Sequence, residues 1–152
     1  MHVYRIAKTQ YIHDLTGMGA RLYGGRWNHR RVSIVYTAES RALATVVYLV
    51  HVPLSLVPHD LSVAMLDIPN WITSKTMAIG NLPANWRDYP APSALADLGM
   101  QWALARETLL LRVPSVVVEY EWNVLINPLH PDMPHVTLAQ VEPYRFDARL
   151  LR

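Results

Sequence analysis

The stretch richest in chemical potential is Gly24-Gly25-Arg26-Trp27-Asn28. Two adjacent glycines let a backbone approach a ligand closely and expose its amides. The guanidinium that follows offers a fork of donors suited to a diphosphate or a ribose. A plain tight turn with a surface arginine and a core tryptophan is equally open. Arg112-Val113-Pro114-Ser115 is the second candidate, where a strand-start serine either reaches a ligand or caps its own backbone. His130-Pro131-Asp132 and nearby His135 offer metal donors by type. Their spacing matches no common ligand pattern and the prolines mark turns, so no metal site is expected. Tyr4, Tyr23, Tyr36, Trp27 and Trp102 are candidates for stacking on a flat ring, or for the core. A P-loop, a Gly-x-Ser-x-Gly elbow and the dinucleotide glycine fingerprint are all absent.

These residues need elements to position them. Residues 2–7 read as an opening strand, 15–27 as a glycine-rich loop, and Val32 to Thr37 as a second strand. Glu39 to His51 reads as a helix stopped by Pro53, with Leu43, Val46, Val47 and Val50 on one stripe. Leu61 to Ile68 is a strand, and the prolines of 69–93 indicate loops and short helical turns. Ala94 to Arg106 is a helix in which Gly99 is a weak spot. Leu109 to Leu111 and Ser115 to Tyr120 read as strands flanking Pro114, and Val124 to Asn127 as another. The tail from His135 to Phe146 is extended. The whole is mixed α+β, without an internal repeat or a dividing linker.

The 152 residues fit one domain, and at 51% hydrophobic and 17% charged they favour a packed globule over disorder. The formal charge is only +2 and no basic run exceeds Arg30-Arg31, so the footprint of a duplex binder is missing. With no cysteine, disulfides, thiolate zinc sites and a thiol nucleophile are excluded, and a reducing cytoplasm is the default compartment. No signal-peptide layout opens the chain, and Ala42 to Val57 is too short and too interrupted to span a bilayer.

Taken together, several segments resemble the RES domain, the toxin half of RES–Xre toxin–antitoxin pairs. They are Tyr4-Arg5-Ile6, the run from Gly19 to Asn28, Val35 to Ser40, Ala42-Leu43-Ala44, Leu49-Val50-His51, Leu110 to Ser115, and Asn127 to Asp132. The resemblance spans nearly the whole chain, 1–152, in order. It implies an ADP-ribosyltransferase-like compact fold: a split, mainly antiparallel sheet with flanking helices around a cleft for NAD, the substrate. Members consume NAD by phosphorolysis or hydrolysis of the nicotinamide–ribose bond, or transfer ADP-ribose to a protein. The implied partner is an Xre-like helix-turn-helix antitoxin that closes the cleft. A homodimer is compatible with the apolar richness, and neither direct nucleic-acid contact nor a membrane is implied.

The family is named for an arginine, a glutamate and a serine. The arginine falls on Arg26, beside Gly25 and Trp27, and the serine on Ser115; a tyrosine of the nicotinamide pocket falls on Tyr36. The glutamate position falls on Val47. Breaking the glycosidic bond builds positive charge on the ribose, which a carboxylate stabilises and a valine cannot. Loss of such a group costs on the order of a hundred- to thousand-fold in rate. Glu39 lies eight residues earlier, roughly 12 Å along a helix axis; Glu107, Glu119 and Glu121 are the acids that could approach from elsewhere. Three accounts stand open: an engineered glutamate-to-valine change, a natural inactive homologue, or a different acid in the role. The functional readings are accordingly an NAD-degrading toxin inactivated at Val47, a protein ADP-ribosyltransferase, and a non-catalytic module that binds antitoxin or nucleotide. An RNA-cleaving toxin is a poorer fourth, lacking a basic run and a clear histidine pair.

Overall fold

A computed structural model describes all 152 residues. Seven strands form one sheet: β1 (His2–Lys8), β2 (Val35–Ala38), β3 (Leu61–Asp67), β4 (Ser74–Thr76), β5 (Leu110–Pro114), β6 (Trp122–Ile126) and β7 (Thr137–Tyr144). Their order is β4-β5-β6-β2-β1-β3-β7, antiparallel throughout except for the β4/β5 pair. β1 runs in register with β3 from His2↔Asp67 to Lys8↔Leu61, but meets β2 only at Tyr4↔Ala38. The sheet is therefore split at that joint into two halves, as expected for this α+β class.

Side-chain alternation divides the core between the two faces. Val35, Leu110, Val124 and Ile126 point to one face with Val3 and Leu66. Tyr36, Leu111, Val113 and Leu125 point to the other, under α3 (Ser93–Ala105). Helix α2 (Arg41–His51) lies over the β1/β2 joint, where Leu43, Ala44 and Val47 pack with Tyr4, Ile6 and Ala38. No helix is long and apolar enough to cross a membrane.

Local chemistry explains where the elements depart from the sequence reading. The expected loop over 15–27 contains the six-residue helix α1 (Met18–Tyr23). The second strand starts at Val35, because Arg31 adopts a left-handed backbone that turns the chain. Glu39 lies outside α2; Ser40 is the cap, its hydroxyl accepting from the Leu43 amide at 3.0 Å. Pro114 belongs to β5, while 115–120 is a turn rather than a strand. Its three valines have strand propensity, yet the Ser115 hydroxyl captures two of their amides and Tyr120 is left-handed. Among the proline-rich loops, β4 is an additional short strand.

Gly99 is not a weak spot in α3. A methyl group there would lie 1.7 Å from the Trp27 carbonyl oxygen, so only glycine allows this close an approach. The helix thus locks against the backbone that carries Arg26.

Candidate functional site

The Gly24–Asn28 segment closes on itself, the Gly25 amide donating to the Asn28 carbonyl at 3.0 Å. Asn28 is buried and anchors the turn, its amide nitrogen donating to the carbonyls of Ala20, His29 and Val32. The Tyr36 hydroxyl donates to Asn28 Oδ1 at 2.6 Å and accepts from the Trp27 amide at 3.1 Å. A side chain at Gly25 would meet that hydroxyl at 2.8 Å. Burial pushes the Tyr36 hydroxyl above its ordinary range, so it stays neutral, and its hydrogen-bonding capacity is used within the protein. What Tyr36 can present to a ligand is its ring. Trp27 is buried in the core beneath α3.

The Arg26 guanidinium donates to the carbonyls of Trp86 at 2.8 Å and Asp88 at 3.1 Å. These are two of its five N–H groups; the others have no acceptor in the chain. Burial lowers its pKa, an effect opposed by Tyr36 and Tyr89. No carboxylate pairs with it, so its charge is free to face an anion. Arg87, stacked 4.7 Å above the Trp86 ring, pairs with Glu119 at 3.0 Å. The segment around residues 86–88 therefore links the Arg26 turn to the turn that follows Ser115.

Ser115 is buried, with its hydroxyl oxygen accepting from the amides of Val117 and Val118 at 3.2 and 3.1 Å. Its own amide donates to the Glu121 carbonyl. Turn capping is thus the job the structure shows for this serine, whose hydroxyl hydrogen has no acceptor within the chain. Val118 also packs in the cluster that holds Val47. Val47 is half-buried on α2, and its carbonyl bonds His51 Nδ1 at 2.7 Å. In the same cluster Tyr4 lies beneath the Arg41 guanidinium, 4.6 Å from its ring centre.

The fold therefore forms two groups: the turn of Gly25, Trp27 and Asn28 tied to Tyr36, with Arg26 reaching from it to the carbonyls of residues 86 and 88, and the cluster of Ala38, Leu43 and Ala44 against which both Val47 and Val118 pack. A cavity of about 290 Å³ is lined by Gly24, Gly25, Arg26, Asn28 and Arg30 with Pro92 and Ser93 at the start of α3; Tyr36, Val47 and Ser115 do not line it. Of the acids, Glu39 is bound by Arg112 at 2.8 Å and Glu119 by Arg87. Glu107 follows the far end of α3, and Glu121 shares the Ser115 turn through its backbone. Sequence reasoning named Asn28 without its role as the anchor of Tyr36, and missed the carbonyls around Arg26 and Arg41 over Tyr4. The last two appear only when segments far apart in the sequence meet. Buried His130 accepts the Asp132 amide, and His135 sits edge-on to Trp71. No group of three or more His, Asp or Glu residues is placed to share a metal ion.

A model of the RES domain matches residues 2–147. The chain belongs to the RES-domain toxin family. The Prs ADP-ribosylating toxin of Sphingobium sp. (strain YBL2) is 39% identical over 148 residues, covering 96% of this chain and 92% of that protein. Toxin Res of Yersinia enterocolitica is 37% identical over 155 residues, covering 99% of each. Among solved structures, the MbcT–MbcA toxin–antitoxin complex of M. tuberculosis aligns with a TM-score of 0.72 at 16% identity, over 94% of this chain and 83% of that one. At that identity the likeness shows that the RES domain here shares a fold, and no more.

Proposed function

We propose that residues 1–152 act as one RES domain, the toxin of a toxin–antitoxin pair, with NAD as substrate and Val47 leaving the bond-breaking step slow. The observation that carries this reading is the place of Val47: on the helix crossing the sheet joint, in the same cluster as Val118, whose amide Ser115 holds. The unpaired N–H groups of Arg26 would bind diphosphate or ribose, with Gly25 allowing close approach. The Tyr36 ring would pack against nicotinamide, and the free hydroxyl hydrogen of Ser115 would orient the same ligand. In the reaction the ribose–nicotinamide bond breaks, its electron pair leaves with nicotinamide, and an oxygen of phosphate or water bonds the ribose carbon. A carboxylate at 47 would stabilise the cation between those events; valine offers nothing there.

The test is Val47→Glu, assayed by NAD loss with phosphate present and by growth on induction. The expected result is a gain on the order of a hundred- to thousand-fold over the parent chain. The reading fails if Val47→Glu consumes no NAD while Glu121→Gln abolishes an activity the parent already has. Transfer of ADP-ribose to a protein is the second reading, favoured by the name of the Sphingobium relative. Labelled NAD in lysate separates them: label on a discrete protein band means transfer. A third, a non-catalytic module holding antitoxin or nucleotide, is favoured by Val47 itself and predicts tight antitoxin binding without turnover or growth arrest. An Xre-like partner would close the cleft in each case.

A further inference from the structure

The sheet end opposite the Ser115 turn has a different chemistry. It lies roughly 16 Å away along the five residues of β5, at about 3.3 Å per residue. A small cavity there is lined by Arg31, Val32, Ala103, Leu104, Arg106 and Leu129. Leu104 and Leu129 are large apolar side chains left 68% and 59% exposed, and both arginines are exposed beside them. Arg21 adjoins this cluster, since the Arg31 amide donates to its carbonyl at 2.8 Å. None of these three arginines has a carboxylate within ion-pair distance, whereas Arg87, Arg112 and Arg149 each do.

The backbone fixes where two of these arginines stand. Only three non-glycine residues are left-handed, and two of them are Arg31 (φ 79°) and Arg106 (φ 53°). Side-chain-bearing residues adopt that region at an energetic cost. Arg106 ends α3, where a cation meets the helix's negative end. Arg31 ends no helix, yet it faces the same cavity.

We propose that this face docks an acidic, leucine-bearing segment of a protein partner. Its carboxylates would meet Arg31 and Arg106, and its apolar side chains would cover Leu104 and Leu129. A nucleic-acid strand fits less well: the cavity lining holds no aromatic ring to stack a base, and a phosphate chain would leave both leucines uncovered. None of Arg26, Tyr36, Val47 or Ser115 takes part, so the proposal is independent of the NAD reading.

The test is an NMR titration of the isotope-labelled full chain with a synthetic peptide of alternating glutamate pairs and leucines. Shifts confined to residues 30–33, 103–107 and 127–130 are expected, with binding weakened by added salt. The double variant Arg31→Asn/Arg106→Asn should lose affinity at least about tenfold, while Arg149→Asn should not. Asparagine tolerates the left-handed backbone, so the double variant is expected to keep its fold. Leu104→Ser reports on the apolar half and should also weaken binding. The proposal is overturned by shifts elsewhere, by no shifts at millimolar peptide, or by undiminished binding in the double variant. Equal binding of a peptide with lysine for glutamate, tighter binding of a single-stranded oligonucleotide, or self-association through the same residues would overturn it as well.

Discussion

Replacing Gly99 by alanine separates two opposed effects whose sizes differ. Alanine is the better helix former by about 1 kcal/mol, which on propensity alone would stabilise α3. The added methyl carbon, however, would stand 1.7 Å from the Trp27 carbonyl oxygen and 2.7 Å from its carbonyl carbon. Both are backbone atoms, so no rotamer change relieves the clash, and helix and turn must separate by well over 1 Å. Overpacking of this kind costs typically 1–3 kcal/mol and occasionally more. With the contact this close we expect the upper end, for a net loss of about 2–4 kcal/mol. For a domain of this length each kcal/mol shifts the midpoint by roughly 2–4 °C, so a fall of about 4–16 °C should appear in a thermal melt. Gly19→Ala is the control: it is helical, nothing lies within 4 Å of the added methyl, and a gain of up to about 1 kcal/mol is expected. The Trp27 amide also holds the Tyr36 hydroxyl, so displacement should reduce NAD turnover in a Val47→Glu background. If Gly99→Ala melts as high as the parent chain, the interlock between α3 and the Arg26 turn is wrong.

Other substitutions probe the same unit. Tyr36→Phe leaves the Trp27 amide and Asn28 Oδ1 without their phenol partner, for a loss of about 2–3 kcal/mol in urea unfolding. The pKa of Tyr36 is raised on folding, so its stabilising share is present below about pH 10, where an unfolded tyrosine begins to ionise, and is lost as pH rises further. The alkaline slope of stability should therefore flatten in Tyr36→Phe; an unchanged slope would remove Tyr36 as its cause. Ser115→Ala uncaps the amides of Val117 and Val118 and should cost about 1–2 kcal/mol in a thermal melt. Arg26→Lys keeps the charge but cannot fork to the carbonyls of Trp86 and Asp88; stability should fall by about 1 kcal/mol, and turnover of the Val47→Glu chain should fall more than tenfold, to roughly the level expected for a lost ligand-binding fork. Val47→Glu should gain turnover yet melt lower, because a carboxylate replaces a methyl surface against Ala38, Leu43 and Ala44.

Much of the scaffold was legible because its signals are local. The stripe of Leu43, Val47 and Val50 with Pro53 beyond it announces α2, and β1 and β3 read directly from their β-branched residues. The failures fall where a single contact overrides propensity. Val116, Val117 and Val118 look like a strand, but one serine hydroxyl and a left-handed tyrosine bend them into a turn. Gly99 looks like a flaw until the Trp27 backbone arrives from 72 positions earlier. β4 is three exposed polar residues whose strand character comes wholly from pairing with β5. At the site, the types Arg26, Tyr36 and Ser115 were visible, whereas what each bonds to was not. Ser115 and Tyr36 bond to groups within ten positions, whereas Arg26 bonds to the carbonyls of Trp86 and Asp88, about 60 positions on, whose place only the folded chain determines.

The way these bonds are shared explains how a valine can stand at position 47 without disturbing anything else. Arg26, Tyr36, Asn28 and Ser115 each hold backbone groups that would otherwise be left without partners, so the fold retains them whether or not a reaction occurs. Position 47 is different. Its half-buried side chain packs against the cluster of Ala38, Leu43 and Ala44, a setting in which an aliphatic residue gains burial and a carboxylate loses hydration. A charged group there would be maintained by chemistry alone, against the preference of its surroundings. On the proposed reading, a chain freed of that demand would favour an aliphatic side chain at this one position, while the bonds made by Arg26, Tyr36, Asn28 and Ser115 would persist because the backbone around them depends on those bonds.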